Sequence, residues 1–561
     1  MKKLLAAVLC LVMLITAIPF AAAAFAPDPT NSREEQLTDY FGNEVNGVKE
    51  FYFTYIFSNN ATKPKDPETN YSYLTIGINP EFRAKYADQI TGVIPDTGNT
   101  RTIPWNDTSR TLQRLVTKTG ATGTKKLSTN NYQKLQEVRI EEGITSLPAN
   151  AFVLSPKLSK VECETTTLTA IPENCFKGTA LAEINIPASV ESIGDMAFMG
   201  TALTSLELPA GLKTIGLQAF EGTMSLTTIN LPAGLESVGK YAFRYSHVES
   251  LDIPGSLGVV EDSVFECMPY LETVTIGDGI TSIGEYAFTN DTSLVSAALP
   301  AGLTTIGANA FRRCTSLAAL DIPATVSDIG MNAFKYCKSL GSAVVPEGIT
   351  TIKEGAFYGC ESMTSVTLPS TITKIEKEAF YDCAALPTIN IPASATQISS
   401  RAFGNCSSLT SIALPAGLAT INNYMFYGCS SLSSVTIPGS VRSLGKGAFY
   451  GCGALTAITL PSALETIGSD CFYECETLAS INLPETLKNI GKYAFCRCYA
   501  LTSINIPSAD TIIGRYAYAY YYTKDAEGFG SFNIAPNTIY GAAGSTAEEY
   551  ANGLNIDFVG N

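Results

Sequence analysis

Nine cysteines stand in register, Cys314, Cys337, Cys360, Cys383, Cys406, Cys429, Cys452, Cys475 and Cys498, each 23 residues after the last. Thiols in such number could be oxidised to disulfides or hold a metal. The constant interval opposes pairing. Stacked turns place equivalent side chains about 4.8 Å apart and parallel, whereas a disulfide needs Cβ atoms about 3.5–4.5 Å apart and a twisted bridge. The nine therefore read as small, buried, apolar side chains with free thiols. Cys163, Cys175, Cys267, Cys471 and Cys496 fall outside the register and receive no assignment. Cys496 and Cys498 in "FCRC" are spaced like a metal or redox pair, but no second cysteine pair of ligand spacing accompanies them, so neither a metal site nor a cofactor is expected.

Catalytic chemistry finds little to work with. The chain has one histidine, His247, and contains no G-x-S-x-G, no H-E-x-x-H and no phosphate-cradling glycine loop. Glu141 and Glu142 form a carboxylate pair, read as solvated groups where a strand exits. Trp105, the single tryptophan, reads as a core or cap residue in preference to a ligand anchor. A binding role has better material. Tyr358, Tyr381, Tyr427, Tyr450 and Tyr473 each directly follow a phenylalanine of the same 23-residue series, with Gly404 interrupting. They are expected to stack along one edge, either shielding the turns beneath or presenting rings to a sugar or protein.

What positions these residues is a repeat. Phe265 and ten later phenylalanines, ending at Phe495, are spaced 23 apart; Phe152, Phe176, Phe198, Phe220 and Phe243 precede them less regularly, and Tyr518 holds the next place. That makes seventeen rungs of L-x-x-I-x-I/L-P-x-x-L/V-x-x-I-G-x-x-A-F-x-x-C. Alternating apolar residues, as in Leu501, Ile504 and Ile506, predict a short strand that Pro507, lacking an N–H, terminates. The glycine of "I-G" is expected to supply a backbone angle closed to other residues. One rung cannot bury its own apolar face, so the rungs must stack with a parallel sheet along one side. The fold class expected is a repeat solenoid.

The unit, seen as "MTSVTLPSTITKIEKEAFYDC" from Met363 to Cys383, resembles the repeat of the BspA-like, treponemal-type leucine-rich-repeat surface proteins, and the resemblance runs from Leu135 to Tyr518. It implies a right-handed leucine-rich-repeat array and an exported, adhesin-like protein, with no catalytic residues to carry over. The closing "TIYGAAGSTAEEYANGLNIDFV" resembles that family's final segment, and Ser545 with Glu548 independently reads as a helix capping box. The expected organisation is a signal peptide over 1–24, a small non-repeat N-terminal α+β or β domain or cap over 25–134, the solenoid over 135–518 and a C-terminal cap with a short helix over 519–561. Within the N-terminal part, "EFYFTYIFS" predicts a strand and "PEFRAKYADQI" a short helix. The segment "SNNATKPKDPETN" reads as a loop.

Composition sets the limits on partners. Of 561 residues, 45% are apolar and 16% charged, a packed chain. Its net charge of −15 repels phosphate backbones and anionic lipid. No nucleic-acid partner is expected. Lys2 and Lys3, the apolar run Leu4–Phe20 and "AAAA" match a secretory signal cleaved after Ala24, which places the mature chain outside the cytoplasm, secreted or at the cell surface, with no membrane span. Neither an apolar tail nor a sorting motif is read at the end. Three functional classes follow: adhesion to an extracellular protein or glycan through the solenoid surface, a passive or self-associating envelope protein, and an enzyme within residues 25–134.

Overall fold

A computed structural model describes residues 34–45, 47–58, 72–87, 135–153, 155–524, 530–535 and 537–560. The signal segment, most of the "SNNATKPKDPETN" loop and Trp105 lie outside the described residues. The repeat is a solenoid of about 18 turns of about 23 residues, against seventeen counted from the phenylalanine series. Among the described residues, no helix is long and apolar enough to cross a membrane.

One turn shows how the residues work. Ser365–Thr367 is a strand with Val366 buried and its neighbours exposed. It pairs in parallel with Ser342–Val344 of the turn before. Beyond it Pro369 has no N–H to extend the ladder, and its carbonyl accepts the Ile372 N–H at 3.3 Å, closing a tight bend. A second strand follows that sequence reading missed: Lys374–Ile375, paired with Thr351–Ile352 on one side and Gln397–Ile398 on the other. The solenoid therefore carries two narrow parallel ladders where one sheet was expected.

A third seam joins the bends themselves. The N–H groups of Glu378, Phe380 and Asp382 donate to carbonyls of the next turn, Ser400, Ala402 and Gly404, at 3.2, 2.9 and 2.7 Å. Between them Ala379, Tyr381 and Cys383 donate backwards, three residues along, to Glu376, Glu378 and Phe380. That alternation requires left-handed backbone at Glu378 (φ 58°) and Asp382 (φ 62°). The first left-handed position recurs in every rung from Asn150 to Tyr516, mostly without glycine. Such residues cost on the order of 1–3 kcal/mol each and persist only where surrounding bonds hold them.

The expectation for "I-G" is corrected by these dihedrals. Gly330 does not have positive φ; instead, a Cβ on it would stand 2.3 Å from the Ala308 nitrogen of the preceding turn. Close approach of two backbones, not an unusual angle, selects glycine here.

Inside, sixteen phenylalanines from Phe152 to Phe495 form one continuous stack. Successive centroids are 5.3–5.9 Å apart and ring planes lie within 21°. Tyr518 closes the series, its hydroxyl donating to the Leu501 carbonyl at 3.1 Å. Truncating one such ring to alanine costs typically 3–5 kcal/mol.

At both ends the ladder continues past the repeat. β1 (Glu34–Val45) and β2 (Val48–Ser58) are antiparallel, β2 pairs antiparallel with β3 (Ser72–Ile78), and β3 runs parallel to β4 (Leu135–Ile140). The expected strand is thus β2, and the expected short helix is α1 (Pro80–Lys85). Glu141 and Glu142 are not merely solvated. Glu141 accepts the Tyr52 hydroxyl at 2.5 Å, tying β2 to the array, and Glu142 accepts the Thr166 N–H at 2.8 Å. At the far end Ser503–Ile506, Thr538–Gly541 and Asp557–Gly560 extend a parallel ladder beneath α2 (Thr546–Leu554). Ser545 caps α2 as expected, while Glu548 accepts from the Gly544 N–H at 2.6 Å, one residue before the capping-box partner.

Candidate functional site

The cysteine column is structural. All nine in-register thiols are buried, and each donates to the carbonyl of the phenylalanine one turn earlier, at 3.0–3.4 Å. Burial raises these thiols above their ordinary range, so they stay protonated donors. Where early rungs lack cysteine, Thr179, Thr201 and Thr223 satisfy the phenylalanine carbonyl of their own turn at 2.8–2.9 Å. Cys496 is also buried and free, although "FCRC" has the spacing of a pair. Among the described residues, no group of three or more His, Cys, Asp or Glu could hold a metal. His247 packs against Tyr270, ring centroids 4.2 Å apart.

The tyrosines are arranged differently. Each follows its phenylalanine, so the ring that fills the core and the ring at the edge point opposite ways from adjacent backbone positions. Tyr358 stacks on Tyr381 at 4.9 Å, Tyr427 meets Tyr450 at 5.2 Å, and Tyr450 stacks on Tyr473 at 4.7 Å. All five are half-buried. Burial pushes Tyr450 up to about 12 and raises Tyr358, Tyr381 and Tyr473. Their hydroxyls remain neutral at ordinary pH and able to donate.

Gly404 splits this column into a pair and a triplet, and Tyr381 leans into the vacated space; a Cβ on Gly404 would stand 2.7 Å from its ring. The Asn405 amide holds the Tyr381 hydroxyl at 3.0 Å. Beside the gap lies the left-handed column, which contributes Glu378, Arg401 and Tyr424 in three successive turns. Arg401 pairs with Glu378 at 3.3 Å and lies over the Tyr424 ring at 5.2 Å. Tyr358, Glu378, Tyr381, Arg401, Tyr424 and Tyr427 together line a cleft of about 370 Å³.

Sequence reading placed Tyr358, Tyr381 and Tyr427 at this edge but missed Glu378, Arg401 and Tyr424. Their signal is positional: each stands two residues before the phenylalanine of its turn, a site whose outward direction emerges only once its left-handed backbone is known. Further cations border the stripe. Lys335 lies over Tyr358 at 4.1 Å, and Lys446 over Tyr424 at 5.9 Å.

The outward strand face offers a contrast. Its concavities, about 270 Å³ around Ser434–Val435, Ala457–Thr459 and Ser480–Asn482 and about 310 Å³ around Thr388–Asn390 and Ser411–Ala413, carry small polar and aliphatic side chains and no ring. The residue types that dominate binding energy, tyrosine and arginine, collect instead at the bends.

The repeat matches a known family model. The model of the BspA type leucine rich repeat region matches in six overlapping copies, residues 112–227, 169–295, 213–341, 281–410, 327–453 and 396–525. A leucine-rich repeat protein from Bacteroides ovatus is 26% identical over 59% of this chain and 80% of its own, TM-score 0.48. A leucine rich cell surface protein from Faecalibacterium prausnitzii is 29% identical over 50% of this chain and 89% of its own, TM-score 0.37. No curated protein matches.

Proposed function

Because the chain belongs to the BspA-type leucine-rich-repeat family, we propose that it is an exported or cell-surface binding protein, adhering to an extracellular protein or glycan through the extended edge of its solenoid. The observation that carries this is the tyrosine column: half-buried rings 4.7–5.2 Å apart, bordered by Lys335, Arg401 and Lys446. Rings held this way lose little freedom on binding and combine apolar area with a hydroxyl. Two further features favour the reading. Secretory character is legible in Lys2, Lys3, Leu4–Phe20 and the alanines that follow. A leucine rich cell surface protein stands among the similar structures.

No catalytic role is proposed. The reactive residue types have structural employment: thiols bonded to carbonyls, Glu141 and Glu142 bonded across elements, and His247 packed on Tyr270.

The test is a screen of the mature protein on arrayed matrix proteins and glycans beside a variant with Tyr358, Tyr381, Tyr427, Tyr450 and Tyr473 replaced by alanine. The variant should lose capture while its melting temperature stays close to the parent's. Undiminished capture refutes a binding role for the column.

A further inference from the structure

The cleft at Gly404 is built from two columns. In the column directly after the phenylalanines, rings stand at 358, 381, 427, 450 and 473, and Gly404 omits one. In the left-handed column, Glu378, Arg401 and Tyr424 are flanked by Gly355 and Gly447, which carry no side chain. A missing ring thus lies beside three long side chains, and the four tyrosines 358, 381, 424 and 427 wall the space between.

We infer that this cleft is a binding site for a neutral saccharide, one sugar ring lying between the tyrosines and the Glu378–Arg401 pair that line it. The inference rests on the binding role proposed above for the tyrosine edge and assigns it a place and a ligand chemistry.

Charge complementarity selects the ligand. Arg401 and Glu378 already neutralise one another at 3.3 Å, with Lys377 a further 3.7 Å from Glu378. A cationic side chain entering the cleft finds ring faces already occupied, Tyr358 by Lys335 and Tyr424 by Arg401. An anion approaching Arg401 meets the Glu378 carboxylate. A neutral polyol meets neither obstacle. Its hydroxyls donate to Glu378 and accept from Arg401 and the phenols, while its C–H face lies on the electron-rich face of a ring. The volume, about 370 Å³, falls at the small end of ligand clefts, about 300–1,000 Å³, and suits a short saccharide better than a folded protein surface.

The absent ring supplies the test. Gly404→Tyr introduces the residue that five other rungs carry at this position; its Cβ would stand 2.7 Å from the Tyr381 ring, so it pushes that ring out of the vacated space and closes the cleft. Arg401→Gln removes the guanidinium while keeping a residue type that Gln218 shows is tolerated in the left-handed column (φ 55°). Isothermal titration calorimetry on the full chain uses three neutral probes, cellotetraose, mannotetraose and a β-1,4-galactotetraose, with tetragalacturonate and a lysine-rich peptide as charged alternatives. At least one neutral tetrasaccharide should bind the parent. Both single variants should weaken it by about tenfold or more, the combined share of a stacked ring and a hydrogen bond, while Val344→Thr, on the exposed strand face away from the cleft, keeps its affinity. The inference is overturned if no neutral saccharide binds, if only the charged probes bind, or if Gly404→Tyr and Arg401→Gln bind as the parent does. The broader adhesion role fails separately, when the five-tyrosine variant retains capture on the arrays.

Discussion

Asp291 offers a sharp test of how the core treats charge. It stands three residues after Phe288, where nine later rungs place cysteine, and it is fully buried. Its Oδ1 accepts the Met268 N–H at 2.7 Å, and its Oδ2 is buried without a hydrogen-bond partner. Desolvation raises this carboxyl well above its ordinary range; the Met268 N–H bond opposes the shift and the Glu266 charge adds a smaller push in the same direction as desolvation. The sign follows from linkage. In the unfolded chain the group ionises near pH 3.9, whereas in the folded chain it holds its proton to higher pH. Between those limits the unfolded state binds fewer protons, so stability falls as pH rises, by up to about 1.4 kcal/mol per pH unit. The contribution is fully present only below the unfolded value. Asp291→Asn removes the titration while keeping an acceptor for Met268. In urea unfolding across pH 4–8, the variant should gain on the parent as pH rises and the two should converge toward pH 4. A difference that stays constant across that range refutes the assignment of a buried, proton-retaining carboxyl.

Two other perturbations probe the frame. Gly330→Ala drives a methyl to 2.3 Å from the Ala308 nitrogen and should cost about 1–3 kcal/mol. Gly302→Ala, where nothing lies within 4 Å, should be neutral or stabilise by about 0.4–1 kcal/mol; the contrast is read from paired thermal melts. Thiol titration with Ellman's reagent on the chain lacking residues 1–24 should find one accessible cysteine, Cys267, since the other thirteen described thiols are buried, and the rest should react only after denaturation.

The interval of 23 residues made the core legible, because columns of phenylalanine and cysteine recur only where side chains stack. The same interval placed Tyr358 beside Tyr381 and Tyr450 beside Tyr473, as found. Other features were hidden for definite reasons. The second ladder is only two residues long in each turn, as in Lys374–Ile375, too short for alternation to register. Left-handed backbone at Met196, Gln218 and Arg401 is invisible because glycine and asparagine, its usual markers, are absent there. Without those dihedrals, nothing marks Glu378, Arg401 and Tyr424 as neighbours of Tyr381 and Tyr427. The role of Gly330 was misjudged for a related reason: the constraint lies in the adjoining turn, 22 residues away at Ala308, and local sequence does not report it.

The seam joining the bends separates what must stay fixed from what can change. Because each left-handed residue is held by its own N–H and by its neighbours' backbones, the side chain there is free to be Met196, Gln218, Glu378, Arg401, Tyr424 or Asp470. Every one of these projects from an identical scaffold at an identical height in its turn. Unequal crossing-over between two turns would keep all three ladders in phase while delivering a new order of surface groups. Recognition can therefore diversify by shuffling 23-residue cassettes, with no renegotiation of the interior.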